Sequence, residues 1–353
     1  MYKVRIIGAG SIGNHLANAF VSNNFYVEIT DKDPKALYRT KNEIYPTRYG
    51  SWDDRIVIVQ NTETGFFETD VLVIGTPPNT HIEIALQQLK RCTPSVILIE
   101  KPISHPDMKD FAELEGMCQA KKIRLLVGYN HRLTENTVIA TKLINEGKLG
   151  EIFSITSQTR ESWNGILKAH PWLTGPEDTY LAWIEKGGGA LYEHSHALNL
   201  LQYFLEICNL GNIVAVQAAI DIVSNPKMHY DRFSFLSLFN EDGKVFQVIQ
   251  DVVTNPSIKE LKINGSLGEL IWRTSSTLDE ILLYNSEGIL TEEYKLTKNR
   301  KDDFIPEIKH VKDLLSKLVS KSPLDYKYAI ETMAVISAAF ESNTIGSRVS
   351  LNL

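Results

Sequence analysis

Cysteine is scarce in this chain. Its three thiols, Cys92, Cys118 and Cys208, are widely separated, and none lies beside a histidine at metal-ligand spacing. A disulfide scaffold and a zinc site are therefore not expected, and reduced, incidental thiols in a cytoplasmic protein are. Long apolar runs are also missing, since no stretch reaches the ~18 residues that a membrane helix needs. The N-terminus reads as a strand from Tyr2 to Ile7 rather than as a signal peptide. No block of Lys or Arg stands out, and 37 basic against 43 acidic residues give a formal charge of −6, which argues against nucleic acid as the main partner. There is no internal repeat, no low-complexity linker and no cluster of His, Asp and Glu at metal spacing, so no metal is expected. What is present is 43% hydrophobic and 23% charged, the composition of a soluble globular protein, and 353 residues suit two domains.

The most informative stretch runs from Tyr2 to Asp31. Val4, Ile6 and Ile7 form the apolar run of a buried parallel strand and lead into Gly8-Ala9-Gly10-Ser11-Ile12-Gly13, with the spacing G-x-G-x-x-G. Gly8 permits a tight turn, Gly10 lets a pyrophosphate approach the backbone, and Gly13 lets the helix pack on the strand. That helix, with Ile12, Leu16, Ala19 and Phe20 on one side, points unpaired N–H groups and a positive dipole end at the phosphates. A second strand, from Tyr26 to Thr30, ends in Asp31, 18 residues after Gly13. A carboxylate there accepts hydrogen bonds from both ribose hydroxyls and repels a 2′-phosphate, so NAD is preferred. Lys32 beside it keeps NADP open.

Strands and helices continue to alternate. Apolar strands are expected at Val71–Ile74, Val96–Ile99 and Arg124–Val127, with helices from His81 to about Arg91 and from about Pro106 to Lys121. This rhythm argues a doubly wound parallel sheet, whose ligands collect beyond the strand carboxyl ends. Thr76, Pro77 and Asn79 would line the cofactor there, and so would Glu100, Lys101 and Asn130. His81 would cap its loop or reach a ribose. Tyr129 and Arg132, after the last of these strands, are candidates for substrate contact. Past Arg132 the pattern changes. A helix over Thr137–Glu146 and a strand over Glu151–Thr159 precede an aromatic connection from Ser162 to Lys186, and Gly187-Gly188-Gly189 then opens one helix carrying Glu193, His194, His196 and Asn199. From Ile213 to about Tyr294 most segments read as strands, with a hairpin turn at Glu241-Asp242-Gly243. The expected fold is an α/β Rossmann domain over 1–127 and an α+β domain with a mainly antiparallel sheet over 128–353, its closing helices able to pack back on the first domain. Trp163 and Trp172 in the aromatic connection could stack on sugar faces or form a structural cluster. Arg160, at its strand end, could meet a substrate carboxylate or phosphate.

Taken together, the glycine turn, Thr76-Pro77-Pro78, Glu100-Lys101-Pro102, Gly128-Tyr129-Asn130 and the glycine-led helix with His196 resemble the glucose-fructose oxidoreductase/inositol dehydrogenase/rhizopine-catabolism family, Gfo/Idh/MocA. The resemblance implies a second domain with a large open sheet that covers the nicotinamide and mediates a homodimer or homotetramer. It implies NAD(P)-dependent oxidation or reduction of a sugar-like small molecule, with Lys101 touching cofactor and substrate hydroxyl and His196 acting as acid and base. Many members carry an aspartate four residues before that histidine and another three after it, whereas this chain has Glu193 three before and Asn199 three after. Glu193-His194-Ser195-His196 is closer to the Asp-x-Ser-His form of members from sugar-nucleotide and nonulosonic-acid pathways, which points toward an activated or amino sugar. Glu193 would hold the imidazole or contact a substrate hydroxyl. His194 is a rival to His196, since helical spacing sets the two about 200° apart. Two other functions fit the same residues: an epimerase or glycosidase that oxidises its substrate transiently, and a non-catalytic NAD(P)-binding regulator.

Overall fold

The computed structural model describes residues 1–60, 65, 68–169 and 173–351. It contains two compact units, Met1–Asn130 with Lys301–Tyr326 and His131–Arg300 with Lys327–Leu353.

In the first unit β1 (Lys3–Ile7), α1 (Ser11–Ser22), β2 (Tyr26–Thr30), α2 (Pro34–Arg39), a π-helical segment (Thr40–Ile44), α3 (Tyr45–Arg48) and β3 (Ile56–Val59) are followed by β4 (Val71–Ile74), α4 (His81–Leu89), β5 (Val96–Ile99), α5 (Phe111–Ala120) and β6 (Arg124–Val127). The six strands lie in the order β3-β2-β1-β4-β5-β6 and all pair in parallel. Helices cover both faces of such a sheet, so its strands read as unbroken apolar runs, and every residue of β4 and β5 is buried. The strand order reverses between β1 and β4, where doubly wound sheets bind ligands. One expected boundary moves. α5 starts at Phe111 rather than near Pro106, because Met108 and Asp110 take left-handed backbone angles (φ 51° and 61°) that a helix cannot continue through.

The second unit contains α6 (Glu135–Asn145), β7 (Ile152–Arg160), α7 (Asn164–Ala169), α8 (Gly189–Glu193) and α9 (His196–Ile207), and then the strands β8 (Ile213–Asn225), β9 (Met228–Asn240), β10 (Val245–Asp251), β11 (Ile258–Gly265), β12 (Gly268–Thr274), β13 (Leu278–Asn285) and β14 (Leu290–Thr297). After them come α10 (Ile305–Leu315), α11 (Tyr326–Ile345) and β15 (Val349–Ser350). The sheet has nine strands in the order β14-β13-β12-β11-β7-β10-β9-β8-β15, antiparallel except where β7 meets β10. The expected hairpin turn joins β9 to β10, with the Gly243 N–H donating to the Asn240 carbonyl at 3.0 Å. Alternation sets the two faces of the sheet. Phe246, Val248 and Gln250 point inward, where Gln250 donates to the Ala190 carbonyl at 3.3 Å, while Val245 and Gln247 are exposed.

α10 returns to the first unit and packs along α1, where Lys312 Nζ donates to the Asn23 carbonyl at 2.9 Å. Among the described residues no helix is long and apolar enough to cross a membrane.

Candidate functional site

The glycine turn of the first unit is shaped from three sides. Gly8 has φ 114°, and a Cβ on it would stand 2.5 Å from the Gly75 carbonyl oxygen; one on Gly13 would stand 2.0 Å from the Gly8 carbonyl oxygen. Both approaches exclude any side chain. Gly10 differs, because a Cβ there would meet no protein atom within 4 Å. The space in front of Gly10 is therefore open, as a bound pyrophosphate requires. Gly10 also caps α1 without a side-chain hydrogen bond, which leaves the amides at the Ser11–Ile12 end to an anion. Across the turn the Asp31 carboxylate accepts from the Ala9 N–H and the Asp33 N–H, both at 2.8 Å. Those bonds fix the acid at the end of β2 and leave its remaining lone pairs for ribose hydroxyls. Lys32 beside it is exposed. These residues fit an NAD-type dinucleotide.

His81 ties together the loops beyond β4 and β5. Its Nε2 lies 2.7 Å from the Thr76 carbonyl oxygen and its Nδ1 lies 3.0 Å from that of Pro102, the residue after Lys101. Burial, aided by the Lys101 charge, pushes its pKa down to about 4 although both carbonyls favour the charged ring. The ring has no exposure, and the large desolvation cost decides for the neutral form, which donates to one carbonyl at a time. His81 thus braces the cofactor loops and does not reach a ribose. Thr80 Oγ1 donates to Thr76 Oγ1 at 2.8 Å in the same loop, and Pro77 and Asn79 stand exposed beside them. Lys101 is half-buried at the end of β5 and Glu100 is buried.

In the second unit the expected single helix is broken. α8 ends at Glu193 and α9 starts at His196, with a turn at His194–Ser195 that Ala197 N–H closes onto the His194 carbonyl at 3.0 Å. The break re-aims both rings. His194 is buried, with Nε2 3.4 Å from the Glu161 carbonyl oxygen, whereas the half-buried His196 ring stacks on His131 at a centroid distance of 4.3 Å and 23°. Trp272 lies against His131 at 5.6 Å. Glu193 accepts from the Tyr180 hydroxyl at 2.8 Å. α8 itself is anchored by Asp231, whose carboxylate accepts from the Leu191 N–H at 2.7 Å, while burial pushes its pKa up to about 8 against these amides. Gly189, at φ 85°, is required because a Cβ there would stand 1.8 Å from Asp231 Oδ1.

A sequence model described as the oxidoreductase family with an NAD-binding Rossmann fold matches residues 2–129, and one described as the GFO/IDH/MocA C-terminal domain matches residues 138–271. The chain belongs to the Gfo/Idh/MocA oxidoreductase family. It is 24% identical over 206 residues to an uncharacterized oxidoreductase of Streptococcus pneumoniae, covering 58% of this chain and 50% of that one. It is 26% identical over 136 residues to the 2,7-anhydro-N-acetylneuraminate hydratase of Escherichia coli, covering 38% of this chain and 33% of the other. The matches thus span half or less of those relatives. Among solved structures, levoglucosan dehydrogenase in complex with NADH and levoglucosan superposes with a TM-score of 0.78 over 99% of each chain, at 17% identity. That likeness is one of fold.

Within this Gfo/Idh/MocA fold several expected substrate residues serve the core instead. Trp163 is 6% exposed and packs against Leu181, Ala190 and Val252, so its face offers no stacking platform. Tyr129 is 2% exposed, and Asn130 donates to the Asp303 carbonyl at 3.2 Å. Arg132 is buried as well: its Nε donates to Asn199 Oδ1 at 2.6 Å, its guanidinium lies 4.3 Å from the Tyr328 ring centroid, and burial lowers its pKa to about 10. Asn199 therefore faces Arg132, not His196. Arg160, unlike these, stays partly exposed, and its Nε pairs with Asp251 at 2.6 Å across the sheet. Trp172 lies outside the described residues. Residues that sequence reasoning missed are His131 and Tyr180, which hold the site's ring and carboxylate, and Asp231, which holds α8. The signals available were the contiguity of His131 with Asn130 and Arg132 and the place of Tyr180 in the aromatic connection.

Proposed function

We propose that this protein moves a hydride between NAD, in preference to NADP, and a secondary alcohol or ketone of a sugar, polyol or sugar derivative. The observation that carries the reading is the pinned Asp31 carboxylate opposite the open face of Gly10. A bound nicotinamide supplies the hydride acceptor or donor. Lys101, at the end of β5, donates a hydrogen bond to the substrate oxygen and stabilises the charge that develops there. His196 takes the hydroxyl proton in oxidation and returns it in reduction, a task suited to imidazole because its ordinary pKa is ~6.5. The His131 ring fixes the plane of the His196 ring, and Glu193, steadied by Tyr180, takes a sugar hydroxyl. His196→Ala is expected to lower turnover by ~10²-fold or more while NADH affinity stays unchanged. Turnover within a few-fold of the parent would end the assignment. Substrate is sought by thermal shift, with NAD(H) and NADP(H) each paired with polyols, inositols, anhydro sugars and sugar nucleotides.

A second reading keeps the cofactor and changes the outcome to elimination or hydration after transient oxidation. The Tyr180–Glu193 hydrogen bond favours it by supplying a proton carrier besides His196, and the likeness to an anhydro-neuraminate hydratase supports it. Product formed without net NADH would select it. Self-association through the nine-stranded sheet is part of the same proposal, supported by the cross-strand apolar pairs Phe239–Val245 and Phe235–Ile249 on its outward face. Sedimentation as a monomer at micromolar concentration would remove that part.

A further inference from the structure

Between β2 and β3 the chain runs from α2 through the π-helical segment Thr40–Ile44 into α3. Short π segments inside helices are found often at functional sites. Three side chains of this stretch grip the glycine turn and its helix. Thr40 Oγ1 donates to the Ala9 carbonyl at 3.3 Å, Tyr49 Oη meets His15 Nδ1 at 2.8 Å, and Arg48 Nη1 donates to Ser11 Oγ at 2.9 Å. The first two contacts brace one element on another. Arg48 brings a full positive charge to the same place.

That placement is unfavourable unless an anion joins it. Ser11 is the first residue of α1, whose first turn holds no acidic residue and whose cap makes no side-chain hydrogen bond. A cation at the positive end of a helix is repelled by the dipole. Among the described residues the Ser11 hydroxyl is the hydrogen-bond partner of Arg48, and no carboxylate pairs with it. A planar guanidinium beside exposed helix amides and the open face of Gly10 forms a site of matched charge and donor geometry for phosphate oxygens.

We infer that Arg48 is a phosphate-binding residue of the dinucleotide site, in which its guanidinium pairs with a pyrophosphate oxygen alongside the amides at the start of α1. The inference rests on the reading of the glycine turn as a dinucleotide site and adds to it a side-chain cation contributed from outside the strand ends. The 2′-phosphate of NADP belongs by Asp31, which takes the ribose, so Arg48 serves NAD and NADP alike.

The test is fluorescence titration of the full chain with NADH and with NADPH, at low and at high ionic strength, for the parent, Arg48→Ala, Arg48→Gln and, as a control, Lys35→Ala. Arg48→Ala is expected to weaken both dinucleotides by about tenfold at low salt, with Lys35→Ala within about twofold of the parent. Its affinity should also fall less steeply with salt than the parent's, because a screened charge pair has been removed. Arg48→Gln keeps a donor for Ser11 and loses the charge, so it should reproduce the Ala deficit with the parent's melting temperature. Parent-like affinity in both variants would overturn the inference. So would a loss confined to NADPH, which would assign Arg48 to the 2′-phosphate, or a loss that is independent of salt and accompanied by early melting, which would make it a brace. A parent that binds neither dinucleotide would overturn the underlying reading as well, and that result is seen without any variant.

Discussion

In the first unit the candidate groups lie just past the carboxyl ends of strands: Gly8 after β1, Asp31 after β2, Thr76 after β4 and Lys101 after β5. In the second unit they lie on a break between two short helices, and each is held by another side chain: His196 by the His131 ring, Glu193 by the Tyr180 hydroxyl, and α8 by Asp231. A parallel sheet aligns its strand ends for reasons of backbone geometry, so the binding surface there is made largely of amides and glycines. The second unit instead aims rings and carboxylates by packing. Changes in the first cradle should therefore cost affinity and leave stability intact, while changes behind the second should cost stability first.

The largest effect is expected at Gly10. Its backbone is extended (φ −73°, ψ −174°), a conformation open to any residue, and a side chain there would enter only the space kept for the pyrophosphate. Gly10→Val should weaken NADH binding by about 100-fold, equivalent to ~2.7 kcal/mol, with the melting temperature within about 2 °C of the parent. NADH titration beside a melting curve decides it, and parent-like affinity would mean that the cofactor does not use this turn. The reverse pattern is expected in the second unit for Asn199→Ala. That change leaves the buried Arg132 Nε without its acceptor and Thr332 without the Asn199 amide donor. A loss of about 2 kcal/mol of stability should follow, with NADH affinity unchanged. Stability equal to the parent's would mean that the Tyr328 and Tyr203 rings suffice to hold the guanidinium.

The same contrast explains what could be read from the sequence. The first unit was legible because a strand buried on both faces is a short apolar run and ligands bind beyond its end, so spacing from the glycine turn pointed to Asp31, while the role expected of Lys101 came from the Glu-Lys-Pro resemblance. The second unit was legible as a sheet through its alternation, but its site was not. Trp163 in a connection looks the same whether it stacks on a sugar or on Val252. Nothing in Glu193-His194-Ser195-His196 announces a turn, because the break depends on His194 finding the Glu161 carbonyl and His196 finding His131, contacts made through tertiary structure. Arg132 carried a signal of function through its place after Gly-Tyr-Asn, yet an aromatic shelf on α11 and α9 claimed it.

One place in the first unit breaks the contrast and gives the smallest effect. Glu307 on α10 is fully buried, and neither carboxyl oxygen has a hydrogen-bond partner among the described residues. Burial, and then the charge of Glu100, hold its pKa well above the ordinary 4.5. Since the folded state keeps a proton that the unfolded chain releases above about 4.3, unfolding free energy must fall as pH rises from there toward the folded pKa. Stability attributable to this group is therefore fully present in acid and is lost in alkali, the opposite of a paired carboxylate. Glu307→Gln has nearly the same shape and does not titrate. It should match the parent near pH 4 and exceed it by about 1 kcal/mol or more at pH 8, since each tenfold difference in proton affinity between the folded and unfolded chain is worth ~1.4 kcal/mol. Urea denaturation of both proteins at the two pH values measures the difference. Parallel curves would mean that the buried carboxyl is compensated. Diverging curves would show that Glu307 keeps its proton in the folded chain, beside the Glu100 charge at the end of β5.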